Sequence, residues 1–271
     1  MNGASREALA AARERLDALT DNTSVDAGQL ADELAAVTAL LDREVSLRRV
    51  LTDPAQAGEA KAELAQRLLG GQVGGETVDL LAGMVRSRWS QSRDLVDALE
   101  ELADTADLTA AQKAGTLDDV EDELFRFGRI VSSSTELRAA LTDRAASKAA
   151  KSELLRSLLG GRAKATTERL VTRLVTAPRG RSLESGLESL SKLAAERRDR
   201  MVAVVTSAVP LSDVQKQRLG AALAKLYGRK MHLNLDVDPE VVGGIRVQVG
   251  DEVINGSLAD RIEDAGRRLA S

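Results

Sequence analysis

Two stretches decide the fold: Leu51–Gly71, LTDPAQAGEAKAELAQRLLGG, and Leu141–Gly161, LTDRAASKAAKSELLRSLLGG. They lie 90 residues apart and agree at 12 of 21 positions. The same offset brings Asp32-Glu33-Leu34 onto Asp122-Glu123-Leu124 and Leu47-Arg48 onto Leu137-Arg138. Further on, an offset of 88 aligns Arg93, Leu95, Leu99 and Leu102 with Arg181, Leu183, Leu187 and Leu190. Matches held at a nearly constant spacing over so long a span mark a duplication, with about two residues lost from a connection of the second copy. A period of 90 is too long for a solenoid repeat, so the chain carries two similar domains.

Each copy reads as helices. Leu30, Leu34, Val37 and Leu41 recur at steps of three and four, which places them on one helical face. Leu80, Leu81, Met84 and Val85 form another apolar stripe, and Leu95, Leu99, Leu102 and Ala106 a third. The second copy repeats them with Val120, Leu124, Phe127 and Val131, then Leu154, Leu155, Leu158 and Leu159, then Leu170, Leu174 and Val175. Gly70-Gly71 stops one helix where glycine accepts a left-handed conformation. The first copy opens with an amphipathic helix carrying Leu9, Leu16 and Leu19. By offset its counterpart coincides with the helix that closes the first copy. The domains therefore abut or share a long helix there, or else the second copy is one helix short.

Composition agrees. Of 271 residues, 43% are hydrophobic and only 1% aromatic, so the core is built from Leu, Val and Ala, which suit closely packed helices. There is no cysteine, which excludes disulfides and thiolate chemistry, and the single His232 cannot build a multi-histidine metal site. No apolar run approaches the ~18 residues of a membrane span. Charged residues interrupt the N-terminus every few positions, so no signal core is expected and a cytoplasmic location is the default. Residues 1–110 hold 11 Lys+Arg against 20 Asp+Glu, and residues 111–200 hold 18 against 13. An acidic first third beside a basic middle suggests domains with different neighbours. The overall balance argues against nucleic acid, whose binding needs concentrated positive charge.

After Arg200 the pattern changes. Met201–Ser207 is rich in β-branched residues and reads as a strand that Pro210 ends. Ser212, with Gln215 three residues on, starts a helix through Val214, Leu219, Leu223 and Leu226 in a capping-box arrangement. Met231, Leu233, Leu235 and Val237 alternate with polar residues as a strand with one face buried. Ile245, Val247 and Val249 alternate again, and Val253-Ile254 begins a return strand. Ser257 caps a final helix with Leu258, Ile262, Ala265 and Leu269 on one side. The fold class is mainly α, with two similar helical-bundle domains (residues 1–108 and 109–200) followed by a small α+β domain (residues 201–271).

The segment from Val237 to Arg261, VDPEVVGGIRVQVGDEVINGSLADR, resembles the C-terminal signature of the ATP synthase delta subunit family, the oligomycin-sensitivity-conferring proteins. Its motif positions are Pro239, Gly243, Gly244, Gly250, Asp251, Gly256, Ser257 and Arg261. Upstream, Thr206–Leu211 and Gln215 resemble that family's strand-to-helix junction. The Lys-x-x-Leu-Leu element with a later Arg-x-Leu stands here as Lys151–Leu155 and Arg181–Leu183. The family has one helical domain where this chain has two. Asn255 replaces the usual aspartate, and the first helix lacks the usual tyrosine.

The resemblance implies a non-catalytic stator subunit of a proton-translocating rotary ATP synthase, at the cytoplasmic face of the plasma membrane. Its implied partners are the N-terminal helices of the alpha subunits and a b-type stalk subunit. Membrane contact is only indirect, through the complex, and no nucleic acid, small-molecule substrate or cofactor is involved. A partner groove is expected between the opening helix of a copy and the helix carrying Leu80 and Met84, or Leu170 and Leu174. Aspartate at Leu170 or Leu174 is then expected to release the alpha peptide with the fold intact. The alternative is a helical scaffold or regulatory protein unrelated to ATP synthase.

Other features have plainer readings. Gly243, Gly244, Gly250 and Gly256 read as turns, since no phosphate-loop pattern or P-loop lysine accompanies them. His232 faces solvent on a strand. Asp118-Asp119 and Asp122-Glu123 read as a solvated helix face. The run Arg162, Lys164, Arg169, Arg173, Arg179, Arg181 also reads first as a solvated face, and second as contact with an acidic partner or with the acidic first third of this chain. No nucleophile, base and orienter come together, so catalysis is not expected.

Overall fold

The computed structural model describes residues 1–21, 25–198, 201–227, 231–238, 244–249 and 252–255. It divides into two compact units, Met1–Arg197 and Arg198–Ser271.

The first unit is helical. Its elements are α1 (Gly3–Asp21), α2 (Ala27–Arg43), α3 (Val45–Thr52), α4 (Gly58–Leu69), α5 (Gly75–Arg86), α6 (Ser92–Lys113), α7 (Leu117–Ser133), α8 (Thr135–Thr142), α9 (Lys148–Leu159), α10 (Ala165–Thr176) and α11 (Leu183–Arg198). Local signals set several ends. Asp26 accepts from the backbone N–H of Gly28 at 2.8 Å and of Gln29 at 3.1 Å, satisfying first-turn donors of α2. Ser134 and Ser147 cap α8 and α9 in the same way. Gly71 and Gly161, matched in the repeat, both turn left-handed, at φ of 76° and 70°.

The duplication is visible in the bonding. Glu33 on α2 accepts from the N–H of Gly74 at 2.9 Å and from the Thr77 hydroxyl, fastening the start of α5. Glu123 on α7 does the same for Lys164, at 2.9 Å, and Thr167 at the start of α10. Burial pushes the Glu33 carboxyl up, but the bonds from Thr77, Gln29 and Gly74 outweigh it and hold it below its ordinary value. Glu123 is thus a helix anchor and not part of a solvated face; its neighbours Asp118 and Asp122 are exposed.

Two apolar cores result. The first runs from Ala8 to Ala106 and is built on Leu16, Leu34, Leu80, Leu81, Leu95 and Leu99. The second runs from Leu108 to Ala194 and is built on Val120, Leu124, Leu155, Leu170 and Val171. Helix α6 enters both: Leu95–Ala106 belong to the first core, Leu108 and Ala111 to the second. It is one continuous helix closing the first copy and opening the second, so the second copy lacks nothing. Carrying two cores explains why α6 is buried on nearly every side.

The periodicity of α9 reads better than it packs. Of Leu154, Leu155, Leu158 and Leu159, only Leu155 is fully buried, because α9 lies at the rim of the second core.

The second unit contains β1 (Met201–Ser207), α12 (Asp213–Tyr227), β2 (Met231–Val237), β3 (Ile245–Val249) and β4 (Glu252–Asn255). The sheet order is β2-β1-β3-β4, with β1 and β2 parallel and the other pairs antiparallel. Ser212 and Gln215 form the expected capping box: the Ser212 N–H donates to Gln215 Oε1 at 2.9 Å and the Gln215 N–H to Ser212 Oγ at 3.4 Å. Ala203, Val205, Val247 and Val249 from the sheet and Leu223 from α12 make the core. Leu235 and Val237 do not join it as the alternation implies. They are 37% and 46% exposed, on a strand at the sheet's edge. Val214 and Leu226 of α12 are also exposed and stay out of the core. The side chain of His232 and the final helix from Ser257 lie outside the described residues.

Candidate partner-binding surfaces

The four leucine and methionine positions expected to line a groove are core residues. Leu80 and Leu170 are fully buried, and Met84 and Leu174 nearly so. They form the floor beneath two homologous seams, α1/α5 in the first copy and α6/α10 in the second. A side chain with no exposure can support a docking face but cannot touch what docks there, so the expectation that aspartate at Leu170 leaves the fold intact does not fit this packing.

The two seams differ in their charges. In the second copy Arg173 on α10 donates to Asp104 Oδ1 and Asp107 Oδ2 on α6, both at 2.6 Å. Arg169, one turn earlier, reaches Asp107 at 2.6 Å, Asp32 of α2 at 2.8 Å and the Gly28 carbonyl at 3.2 Å. Arg179 and Arg181, in the turn after α10, both pair with Glu100. Arg179 holds a left-handed backbone at φ 46°, unusual for a residue with a side chain, and its guanidinium also donates to the Val96 carbonyl at 3.3 Å. From α11, Arg197 donates to Asp17 of α1 at 2.5 Å and to Gln112 at 2.7 Å. The basic run is therefore largely no solvated face: four of its arginines are consumed by acids of the first copy and of the shared helix.

Burial makes this network demanding. Burial pushes the Asp104 carboxyl up to about 7, against the pull of Arg173 and with the help of Glu100 and Asp107 nearby. Asp107 is raised for the same reason, with Arg173 and Arg169 opposing. The Arg173 guanidinium is held above its ordinary value by the two carboxylates, which outweigh its burial. Beside the network lies a cleft of about 340 Å³ lined by Arg13, Glu101, Asp104, Arg173, Leu174 and Leu190.

The rim of the first copy's seam faces solvent. Ala11, Arg15 and Ala18 on α1 and Glu76 and Asp79 on α5 are exposed. Its cross-seam ion pair joins Arg15 and Asp79 at 3.0 Å, with both side chains well exposed. A further groove of about 590 Å³ runs between α7 and α11, with Phe125, Gly128 and Arg129 on one side and Leu187 and Glu188 on the other. Phe125 and Ile130 are 57% and 53% exposed on α7. Periodicity does not reveal this groove, because it marks Phe127 and not Phe125 as inward.

Of the glycine-rich motif, only Gly244 is described, with φ of 99°, as a turn position requires. Pro239, Gly243, Gly250, Asp251, Gly256, Ser257 and Arg261 lie outside the described residues. Among the described residues no cluster of His, Cys, Asp or Glu is arranged to hold a metal ion, and no helix is long and apolar enough to cross a membrane.

A family model described as ATP synthase delta (OSCP) subunit matches residues 104–269. The match begins inside α6, close to where that helix passes from the first core to the second. The chain is 87% identical over 271 residues to the ATP synthase subunit delta of Streptomyces coelicolor, covering 100% of this chain and 99% of the relative. It is 49% identical over 270 residues to that of Thermobifida fusca, covering 100% of both. It is 46% identical over 268 residues to that of Kineococcus radiotolerans, covering 99% of this chain and 97% of the relative. Residues 1–103, nearly all of the first copy, therefore lie outside the family model yet within the stretch that these relatives share. The chain belongs to the ATP synthase delta (OSCP) subunit family and is a non-catalytic peripheral-stalk subunit of ATP synthase.

Proposed function

We propose that the chain ties the N-terminal helices of the alpha subunits, at the top of the catalytic head, to a b-type stalk subunit, at the cytoplasmic face of the plasma membrane. The helical unit takes the alpha side and the small α+β unit the stalk side. In functional terms the chain then has three parts, residues 1–108, 109–200 and 201–271, the first two working as one body.

The observation that carries this reading is the union of the two copies. A stator must transmit torque without yielding, and a helical unit held by one shared helix and a buried ion network is suited to that load. Attachment has to be non-covalent yet tight, and nanomolar binding corresponds to about 12 kcal/mol. Buried apolar anchors supply most of such affinity, and helix-in-groove docking provides them.

The test is affinity capture of the tagged chain from mildly solubilised membranes, with mass spectrometry of what accompanies it. Alpha, beta and b chains are expected together. Recovery of none, with the tagged chain folded, refutes the reading.

A further inference from the structure

We propose that the groove between α7 and α11 seats an amphipathic helix from a neighbouring subunit of the synthase, one that carries lysine or arginine against Glu188 and aspartate or glutamate against Arg129. This rests on the chain's place in the synthase and not on which subunit the adaptor reading gives to each unit.

The duplication supplies a precedent for the site. In the first copy the matching face of α6 is covered by the second copy. Val96, Glu100 and Ala103 are buried there. Arg179, in the turn after α10, donates to the Val96 carbonyl at 3.3 Å, and Arg179 and Arg181 both pair with Glu100. By the offset of 88, the same positions on α11 are Glu184, Glu188 and Ser191, and none of them is buried. The second copy ends the series, so no third copy follows to lay a helix and a basic turn over this face.

The side chains around the groove differ from their first-copy counterparts in a way that suits a guest. Phe125, one of two phenylalanines in the chain, stands where the first copy has Ala35, and it is 57% exposed. Gly128 stands where the first copy has Thr38. Glycine in a helix interior weakens the helix, so it calls for a reason. Internal packing gives none, because a Cβ there would meet nothing nearer than the Leu187 Cβ, at 4.0 Å. Close approach by a second helix does give one, since the distance between packed helices is set by the side chains at their contact. Glu188 keeps the acid that Glu100 uses to hold two arginines, and Arg129 supplies a cation on the opposite wall. Both are exposed, and the ion pairs of the described residues involve neither. An apolar trough with an aromatic anchor, a cation on one wall and an anion on the other, is the pattern that receives an amphipathic helix in one orientation. Another copy of this chain does not match it. Continuing the series would lay α5 over the groove as α10 lies over the first copy. That would bring Asp79, in the place of Arg169, against Asp122, in the place of Asp32.

The experiment places a photoreactive benzoylphenylalanine at Phe125 of the full chain, irradiates the assembled synthase in membranes and maps the cross-link by mass spectrometry. One helical segment of another subunit is expected, amphipathic, with a base and an acid spaced to meet Glu188 and Arg129. Glu188→Lys is expected to lower the cross-link yield by about tenfold, and changing the guest's base to glutamate should restore it. Gly128→Leu, which fills the trough, is expected to abolish the cross-link without lowering the thermal midpoint. If it does lower the midpoint, the charge exchange at Glu188 decides alone. A cross-link only within this chain or to another copy of it overturns the proposal, as does one to a segment without those charges or one that Glu188→Lys leaves unchanged. No cross-link from a chain that still co-purifies with alpha, beta and b overturns it too and leaves the adaptor reading standing.

Discussion

Replacing Arg173 with methionine removes the guanidinium and keeps most of the apolar stem. In the structure that guanidinium makes two bonds of 2.6 Å, to Asp104 and to Asp107. The two carboxylates are not equally dependent on it. Asp107 keeps Arg169 at 2.6 Å, whereas the ion pairs of the described residues give Asp104 no second cation. Breaking a buried pair from one side costs about 3–5 kcal/mol, because the charge left behind is uncompensated. Asp104 has an escape, since its carboxyl already stands at about 7 and rises further once Arg173 is gone. Below neutrality it takes up a proton and no longer needs the cation. The penalty is therefore expected to be about 3 kcal/mol or more near pH 9 and clearly smaller near pH 6. Urea unfolding followed by circular dichroism of the helices measures it at both conditions. Adding Asp104→Asn to Arg173→Met removes the stranded charge and should recover most of the loss. A penalty under about 1 kcal/mol near pH 9, one indifferent to pH, or one that Asp104→Asn does not relieve would refute the reasoning.

The remaining expectations concern other parts of the network and the packing. Asp104 binds its proton more tightly folded than unfolded, so its contribution to stability declines as pH rises from the ordinary carboxylate range through about 7. Asp104→Asn alone should flatten that part of the stability profile measured by urea midpoints. Gly186→Ala places a methyl against the Leu174 side chain in a packed core and is expected to cost about 1–3 kcal/mol by thermal unfolding. Leu170→Asp puts a charge where exposure is 0%, and loss of helical signal is expected, in contrast to release of a partner with the fold intact. Phe125→Ser, at a position 57% exposed, should leave stability within about 0.5 kcal/mol, so any loss of partner capture it causes would report on the α7/α11 groove itself.

Much of the fold was legible because it rests on local periodicity. The stripes through Leu34, Leu80, Leu95, Leu124 and Leu170 all face a core, since a helix buries what recurs at steps of three and four. The capping box at Ser212 and the glycine stop at Gly71 were equally local signals. The short helices α3 and α8 were missed, because one or two turns show too little period to register. The candidate site was legible only in outline. Leu80, Met84, Leu170 and Leu174 identify the right helices, but apolar patterning finds what a fold buries and is silent about what it leaves for partners. The ion network needed three dimensions: Arg169 and Asp32 are bonded across 137 positions of sequence, and no pattern within a helix links them. Its traces in the sequence were the uneven charge of the first and middle thirds and the basic run from Arg162 to Arg181, whose second reading was contact with the acidic first third.

Helix α6 has one more implication, for how such chains can change over time. A loop between two domains absorbs insertions and deletions at little cost, and relatives usually differ there. Within α6 that freedom is gone. One residue added between Ala103 and Leu108 would turn everything beyond it by about 100° and advance it by ~1.5 Å, so one copy would keep its phase only at the other's expense. Every ion pair from α10 and α11 back to the first copy would miss its target at once. The length of this stretch should be invariant among full-length relatives while the surrounding turns drift, like the fixed tooth count of two gears cut on a single shaft.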